Sequence, residues 1–297
     1  MAGDRDRIFV MRGHALTAPH LEPGLYVTAT PIGHLGDITI RALEVLAAAD
    51  VIAAEDTRVT RKLLSRYGIT TRLTAYHEHS HPDVDERLVK LMAEGEAVAL
   101  VTDAGTPVVS DPGTRLVARA AAEGVAVHPI PGASSLTAAL SVAGISAEAT
   151  LFLGFLPAKE KARRDALRRF ADLPFALVLL EAPHRLRAFA RDAAQILGDR
   201  PVCLCREMTK LHETFLRGSL ADLADAAGEQ DKGEIVVVVG PPAPKEAGAG
   251  LDEEDLDRML AERLGTMGVK DAAREVADET GLPRRALYQR ALSLGKE

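Results

Sequence analysis

Residues 98–113 read VALVTDAGTPVVSDPG, a short apolar strand that runs directly into a loop of small and turn-forming residues. The aliphatic run Val98 to Val101 is typical of a strand buried on both faces of a parallel sheet. The bend that follows is made by residues that leave the backbone open to a ligand: Asp103, Gly105, Pro107, Asp111, Pro112 and Gly113. Ligands of open α/β sheets lie outside the carboxyl ends of the strands. Residues 103–113 are therefore the first predicted binding site, and a tight turn without a ligand is the alternative.

Strands and helices alternate on both sides of this stretch. The pattern predicts strands over residues 25–30, 51–55, 73–76, 98–101 and 125–130. Helices are predicted between them, and a further helix is predicted to open at Pro131 and Gly132 in PGASSLTAALSVAG. This alternation indicates a parallel sheet covered on both faces. We predict an N-terminal α/β domain over residues 23–146.

A second α/β domain is predicted over residues 147–240. Its predicted strands are 151–155, 175–181, 202–207, 214–217 and 235–239, and the short connections between the last of them favour a mixed sheet. Residues 241–250, PPAPKEAGAG, have the composition of a linker. Residues 251–297 predict a small helical domain that resembles a helix-turn-helix, with a helical cap or dimer element as the alternative. Residues 1–22 are predicted to be a flexible extension.

The amino-acid composition is typical of a globular protein and not of a membrane-spanning one. The 297 residues are 47% hydrophobic, which suffices for real cores, and no apolar stretch approaches the length of a bilayer span. A net charge of −7 argues against a wholly cationic nucleic-acid surface, so any contact with nucleic acid must come from local patches. The first 24 residues lack the uninterrupted apolar core that is typical of a secretory signal, and we expect a cytoplasmic protein.

The sequence has no pattern typical of a disulfide, a metal site or a nucleotide-binding motif. Cys203 and Cys205 stand two apart on one strand and are predicted to be buried, unbridged structural residues. No clustered histidines complete a zinc set, and no metal site is predicted. The chain also lacks a GxGxxG sequence after its first strand and a P-loop, which argues against dinucleotide oxidoreduction and NTP hydrolysis.

Polar and ionisable residues follow other predicted strands. Glu55, Asp56 and Arg58 form a candidate base or ribose-binding cluster, although an internal ion-pair network would give the same pattern. Ser134 and Ser135 lie near a helix N-terminus, where N–H groups bind anions, or are ordinary helix-capping residues. The basic run at 159–169 could pair with phosphates or form a solvated helix face.

Taken together, the short motifs of this chain strongly resemble the ribosomal RNA small-subunit methyltransferase I family, a branch of the tetrapyrrole-methylase superfamily. The motifs are ATPIGHLGDIT, AAEDTR, TDAGTPVVSDPG, IPGASSLTAAL, GFLP, EAPHR and GEIVVVVGP, in this order over about residues 22–240. The resemblance implies a two-domain tetrapyrrole-methylase-like α/β fold with a helix-turn-helix tail. It also implies S-adenosylmethionine-dependent methylation of a cytidine ribose 2′-OH in the decoding region of 16S rRNA, within the small ribosomal subunit, by a homodimer.

The resemblance also implies positions for the ligands. The cofactor-binding residues would be Pro31, Asp103, Ala104, Gly105, Thr106, Val109, Ser134, Ser135, Glu181, Thr214, Glu234 and Ile235. The candidate RNA-binding residues are Lys159, Lys161, Arg163, Arg164, Arg185, Lys210, Arg284 and Arg285. Leu180 stands where a tyrosine is common in the family, which puts an aromatic stacking contact at that point in doubt.

Methyl transfer to a hydroxyl needs a group that draws off its proton, and Glu55 or Asp56 is the hypothesis for that role. Arg58 would hold phosphate or ribose beside them. Two rival functions are a small-molecule methylase with a tetrapyrrole-like acceptor and a non-catalytic RNA-binding or assembly protein. A large apolar acceptor cleft would favour the first, and failure to bind S-adenosylmethionine would favour the second.

Overall fold

The computed structural model describes residues 7–226, 233–243 and 252–294. They fall into two compact units, residues 1–241 and 242–297. The first unit contains two five-stranded sheets, one at the centre of each predicted α/β domain. The predicted boundary at residue 146 lies in the connection between these sheets, and the predicted boundary at 240 lies one residue before the division between the units.

The chain begins with a β-hairpin. Its strands are β1 (Ile8–Met11) and β2 (His14–Thr17), joined by Arg12 and Gly13, both with positive φ, as in a two-residue hairpin turn. Phe9 is only 1% exposed and packs in the core beside the first sheet, and Val10 N donates to Tyr67 O at 2.7 Å. The predicted flexible extension is therefore wrong for residues 8–17, because one buried aromatic ring ties the hairpin to the core. Residues 1–6 lie outside the described residues.

The first sheet has the strand order β5-β4-β6-β3-β7, and every pairing is parallel. Its elements are β3 (Gly24–Thr28), the 3-10 helix η1 (Leu35–Asp37), α1 (Ile40–Ala48), β4 (Val51–Ala54), α2 (Thr57–Arg66), β5 (Leu73–Ala75), α3 (Pro82–Ala93), β6 (Ala97–Val101), α4 (Thr114–Ala122) and β7 (Val127–Ile130). All five residues of β6 are buried, as expected for a central strand with hydrophobic clusters on both faces. The parallel sheet predicted from the alternating pattern is confirmed.

The helix α5 (Ser135–Ala143) follows β7 and packs against the second sheet. It begins at Ser135 and not at Pro131, because residues 131–134 continue in an extended path and Ser134 is the N-cap. The predicted N-terminal domain, residues 23–146, includes α5. In the structure, however, Ala139 and Ala143 of this helix pack against one face of the second sheet.

The second sheet has the strand order β11-β10-β12-β9-β8. Its elements are β8 (Thr150–Phe155), α6 (Glu160–Arg168), β9 (Ala176–Glu181), η2 (Pro183–Arg185), α7 (Leu186–Leu197), β10 (Pro201–Arg206), β11 (Thr214–Ser219), α8 (Leu220–Ala226) and β12 (Ile235–Val239). Only the β8–β9 pairing is parallel, so the predicted mixed sheet is confirmed. Cys203 and Cys205 are buried and unbridged on β10, with 3.8 Å between their Sγ atoms, as predicted.

The second unit is helical, as predicted, and its described residues form α9 (Glu253–Leu264), α10 (Val269–Thr280) and α11 (Arg284–Leu294). They enclose a small core of their own that includes Leu260, Val276 and Leu287. Gly281, with φ +71°, ends α10 and starts the turn into α11. Of the predicted linker, residues 244–250 lie outside the described residues. Within the described parts of the chain, no helix is long and apolar enough to cross a membrane.

Candidate functional site

The loop after β6 has a fixed and strained shape. Gly105 (φ +88°), Val108 (φ +76°), Ser110 (φ +64°) and Gly113 (φ +135°) all have positive φ. A β-branched residue such as Val108 rarely adopts this conformation, and such strain clusters at functional sites. Two backbone hydrogen bonds between Thr30 and Gly105, of 2.9 and 3.0 Å, tie the loop to the end of β3. The backbone that bounds the predicted site is therefore held in place.

A first cavity of about 430 Å³ opens beside this loop. Such a volume suits a small organic ligand. Residues from the ends of both sheets line it: Ile32, Glu55, Asp103, Ala104, Val109, Ser110, Asp111, Ser135, Phe155, Leu180, Glu181, Ala182, Pro183, Met208, Gly233, Glu234, Ile235 and Val236. The cavity lies where the alternating pattern placed a ligand, at the carboxyl ends of the first sheet's strands.

Glu181 provides a free hydrogen-bond acceptor in the wall of the first cavity. Its side chain is fully buried at the end of β9, which raises the pKa of its carboxyl group. Oε1 accepts from Ala182 N at 2.8 Å and lies 3.1 Å from Arg185 Nε. Oε2 has no hydrogen-bond partner among the described residues. Because a buried acceptor without a partner is costly, a donor supplied by a ligand would be well bound there.

A second cavity of about 570 Å³ adjoins the first. The two cavities share four residues, which we call the shared wall: Glu55, Ser110, Asp111 and Phe155. The rest of the second cavity is lined by Tyr76, His77, Glu78, Val108, Pro112, Gly113, Thr114 and Arg115. Two ligands placed in these cavities would meet at the shared wall.

The carboxyl groups of the shared wall have raised pKa values. Burial, followed by the charges of Glu55, Asp103 and Glu234, raises the pKa of Asp111 to about 7. The pKa of Glu55 is also raised, mainly by burial, and its Oε2 accepts from Asp103 N at 3.4 Å. Asp111 can therefore exchange a proton near neutral pH.

Asp56 and Arg58 form a local ion pair beside this wall. Asp56 is the N-cap of α2: its Oδ1 accepts from Arg58 N at 2.8 Å, and its Oδ2 lies 2.6 Å from the Arg58 guanidinium. These hydrogen bonds lower the pKa of Asp56 to about 2. Such a carboxylate is a weak base at neutral pH. Of the two interpretations left open for the 55–58 cluster, the ion pair holds for Asp56 and Arg58, whereas Glu55 lines both cavities.

The residues expected to hold a cofactor divide into two groups. Seven of them line the first cavity: Asp103, Ala104, Val109, Ser135, Glu181, Glu234 and Ile235. Four others shape or flank it. Pro31 lines a neighbouring cavity of about 280 Å³ with Asp103, and the backbone of Gly105 is hydrogen-bonded to that of Thr30. Thr106 Oγ1 donates to Ala133 O at 3.1 Å, and Ser134 occupies the N-cap position of α5 without a side-chain capping hydrogen bond. Thr214 is not among the described residues that line the first cavity: it is exposed at the start of edge strand β11, opposite Arg206.

Three of the basic residues expected to bind RNA are engaged within the protein. Arg163 is buried and pairs with Asp192 at 2.7 Å, so this expectation is wrong. Arg185 pairs with Glu181, and Lys210 pairs with Glu207 and Glu234.

The other expected RNA-binding residues differ in exposure. Arg164 is partly exposed and also pairs with Asp192. Lys159 and Lys161 are exposed in the first unit, and Arg284 and Arg285 in the second. Of the eight candidate RNA-binding residues, these four lysines and arginines have the exposed side chains that the prediction requires.

Three residues of the shared wall, Ser110, Asp111 and Phe155, had no role of their own in the sequence interpretation. Asp111 was read only as part of a bend, and its place in the decisive loop was the signal. Phe155 ends a predicted strand and stands in the GFLP motif, but the motif did not indicate a ligand contact, because the exposure of the ring depends on the path of β8. No group of three or more His, Cys, Asp or Glu residues suited to a metal ion occurs in the described parts of the chain.

Comparison with known proteins agrees with this architecture. The profile of the family "Tetrapyrrole (Corrin/Porphyrin) Methylases" matches residues 24–224, and that of the "RsmI C-terminal HTH domain" matches residues 250–295. The protein named "Ribosomal RNA small subunit methyltransferase I" from Mesorhizobium japonicum is 48% identical over 283 residues, covering 94% of this chain and 95% of the relative. The chain belongs to the ribosomal RNA small subunit methyltransferase I family.

A second member of the family shows how widely the likeness extends. The ribosomal RNA small subunit methyltransferase I of Halalkalibacterium halodurans is 43% identical, over 89% of this chain and 93% of its own length. The resemblance inferred from short motifs is thereby confirmed.

Solved structures support the fold at lower identity. Uroporphyrin-III C-methyltransferase from Thermus thermophilus, solved with S-adenosyl homocysteine, has a TM-score of 0.54 at 21% identity, covering 72% of this chain and 96% of the other. A diphthine synthase has a TM-score of 0.56 at 17% identity, over 73% and 89% of the two chains. The tetrapyrrole-methylase fold expected for this member of the methyltransferase I family is confirmed.

Proposed function

We propose that this protein transfers a methyl group from S-adenosylmethionine to the ribose 2′-OH of a cytidine in the decoding region of 16S rRNA. The observation that carries the proposal is the shared wall, where two cavities meet at a pair of carboxyl groups with raised pKa values. One cavity would hold the methyl donor and the other the acceptor nucleotide. The family supports the reaction class, since its members are named ribosomal RNA methyltransferases.

The first cavity fits the cofactor in size and in charge. S-adenosylmethionine supplies a methyl group on a positively charged sulfur when it is bound. Glu55, Asp103, Asp111 and Glu234 give the cavity an acidic lining, which favours a cation. The unpartnered Glu181 Oε2 would accept a hydrogen bond from an amino or hydroxyl group of the cofactor. The fixed loop 103–113 would keep these groups aligned, as an in-line transfer requires.

Glu181→Gln is expected to weaken S-adenosylhomocysteine binding about tenfold, because a hydrogen bond to a charged acceptor contributes about 1.5–3 kcal/mol and glutamine keeps only a neutral one. Isothermal titration calorimetry measures the change. The matched control is Asp165→Asn on the exposed side of α6, which should leave the Kd unchanged. An unchanged Kd for Glu181→Gln would place the cofactor elsewhere.

The acceptor hydroxyl needs a base, because it is a poor nucleophile while protonated. We assign this role to the Glu55 and Asp111 pair. Both face the two cavities, and the pKa of Asp111, about 7, suits a group that accepts a proton at neutral pH. Asp56, with a pKa of about 2, is left out of the assignment.

RNA would be held by local cations and not by the overall charge of −7. Lys159, Lys161, Arg284 and Arg285 are exposed and can reach phosphates. The expected cytoplasmic homodimer belongs to the same proposal, and light scattering on the purified protein tests the dimer. An acidic tetrapyrrole is a poorer acceptor, because Glu55, Glu78 and Asp111 in the second cavity disfavour its carboxylates and Arg115 there is paired with Asp85.

Ribose-methylation mapping of 16S rRNA from cells with and without the gene tests the proposed function. We expect one decoding-region cytidine to lose its 2′-O-methyl group without the gene. Purified protein with S-adenosylmethionine and unmodified small subunits should restore that group. An unaltered methylation map would contradict the proposal.

A further inference from the structure

Phe155 is an exposed aromatic residue at the meeting point of the two cavities. Its side chain is 58% exposed, although it ends a strand of the second sheet. It lines both the first and the second cavity. A large apolar ring that remains accessible inside a ligand site is available to contact a ligand.

A β-bulge directs Phe155 into this position. The pairing of β8 with β9 shifts by one residue between Phe152 and Gly154, so that Phe155 lies opposite Leu180. Leu180 itself lines the first cavity. Without the extra residue, Phe155 would fall on the opposite face of the sheet, because side chains alternate along a strand. Bulges next to active sites commonly re-aim a side chain in this way.

The bulge packs closely against the loop after β6. Gly154 has φ +58°, and a Cβ atom at this position would lie 2.8 Å from Ser110 Oγ. Ser110 also has positive φ and belongs to the shared wall. Two unusual backbone conformations therefore meet next to Phe155.

The surroundings of the ring suit a nucleobase better than a phosphate. Glu55, Glu78 and Asp111 line the second cavity and disfavour an anion, whereas Arg115 in the same wall is paired with Asp85. A nucleobase is uncharged, has a flat face that can stack on the Phe155 ring, and carries N–H groups that can donate hydrogen bonds to carboxylates.

From this geometry we infer that Phe155 is the stacking platform for the base of the acceptor nucleotide, extruded from the RNA helix into the second cavity. The inference rests on the proposed function and deepens it. A nucleotide that is stacked in a helix would have to leave the stack for its base to enter a cavity. Phe155 acts here as a positioning residue that sets the ribose beside the carboxyl pair.

The test uses four variants in single-turnover methylation of unmodified small ribosomal subunits at saturating S-adenosylmethionine. The measured quantity is the rate constant for methyl transfer divided by the subunit concentration that gives half-saturation. Phe155→Ala and Phe155→Leu should lower this ratio about 10- to 100-fold, the loss expected for one base–aromatic stack. Phe155→Tyr and Phe155→Trp should keep it within about threefold, since they keep a ring. The Kd for S-adenosylhomocysteine should be unchanged in all four variants.

The chain has no tryptophan, so Phe155→Trp also introduces a single fluorescent reporter. Its emission should be quenched when transcribed 16S rRNA is added. Leu216→Trp, at an exposed position on edge strand β11, is the control and should be quenched much less.

The outcomes separate the two proposals. If the wild type methylates the subunit and Phe155→Leu equals it, the stacking inference falls and the proposed function stands. A loss of cofactor affinity in Phe155→Ala would assign the ring to the cofactor's adenine and overturn the inference. A change of oligomeric state in light scattering would assign it to a second copy of the chain. A wild type that transfers no methyl group to rRNA would overturn both proposals.

Discussion

Asp111→Asn is expected to slow methyl transfer about 10²- to 10⁴-fold, the usual contribution of a general base. Asparagine keeps the shape of the side chain but cannot accept the proton of the ribose hydroxyl. Single-turnover methylation of unmodified small subunits measures the rate constant. The Kd for S-adenosylhomocysteine, measured by calorimetry, should change far less than the rate.

The pH dependence of methyl transfer provides a second test of Asp111 as the general base. A base works only when deprotonated, so kcat/KM for the cofactor should fall as the pH drops below about 7, the pKa of Asp111. After burial, the charge of Glu55 contributes most to raising this pKa, so Glu55→Gln should move the inflection to lower pH. If Asp111→Asn keeps the wild-type rate while Glu55→Gln abolishes it, Glu55 is the base.

Arg163→Ala is expected to lower the free energy of unfolding by about 3–5 kcal/mol, the usual cost of breaking a buried ion pair. Both Arg163 and Asp192 are buried, and the Arg163 guanidinium also donates to Ala158 O at 3.2 Å. Its removal leaves Asp192 paired with the partly exposed Arg164, at 3.2 Å. Urea denaturation followed by circular dichroism measures the loss.

The control for Arg163 lies two residues before it. Lys161 is exposed on the same helix, and Lys161→Ala should change stability by less than about 0.5 kcal/mol. It should instead weaken RNA binding at low salt, because exposed cations contribute through phosphate contacts. If Arg163→Ala unfolded like the wild type and bound RNA more weakly, the arginine would be an RNA ligand after all.

The pattern of the sequence predicted most of the fold. The alternation around β6 led to the parallel sheet, since a buried central strand must be apolar throughout. The basic run at 159–169 shows where such reasoning fails: Lys161 and Arg163 have the same charge, yet one is solvated and the other is buried against Asp192. Charge along a helix does not specify which residues face a partner on α7.

By itself, the sequence determined the family, the two sheets, the helical tail and the loop that bounds the ligand cavities, because motifs and periodicity are local properties of the chain. Tertiary structure alone decided that Asp111 is a group with a pKa of about 7, since its burial and its acidic neighbours come from different segments. It also decided that Phe155 faces the cavities, because one extra residue in β8 reverses the side on which every following side chain lies. These properties depend on which segments become neighbours.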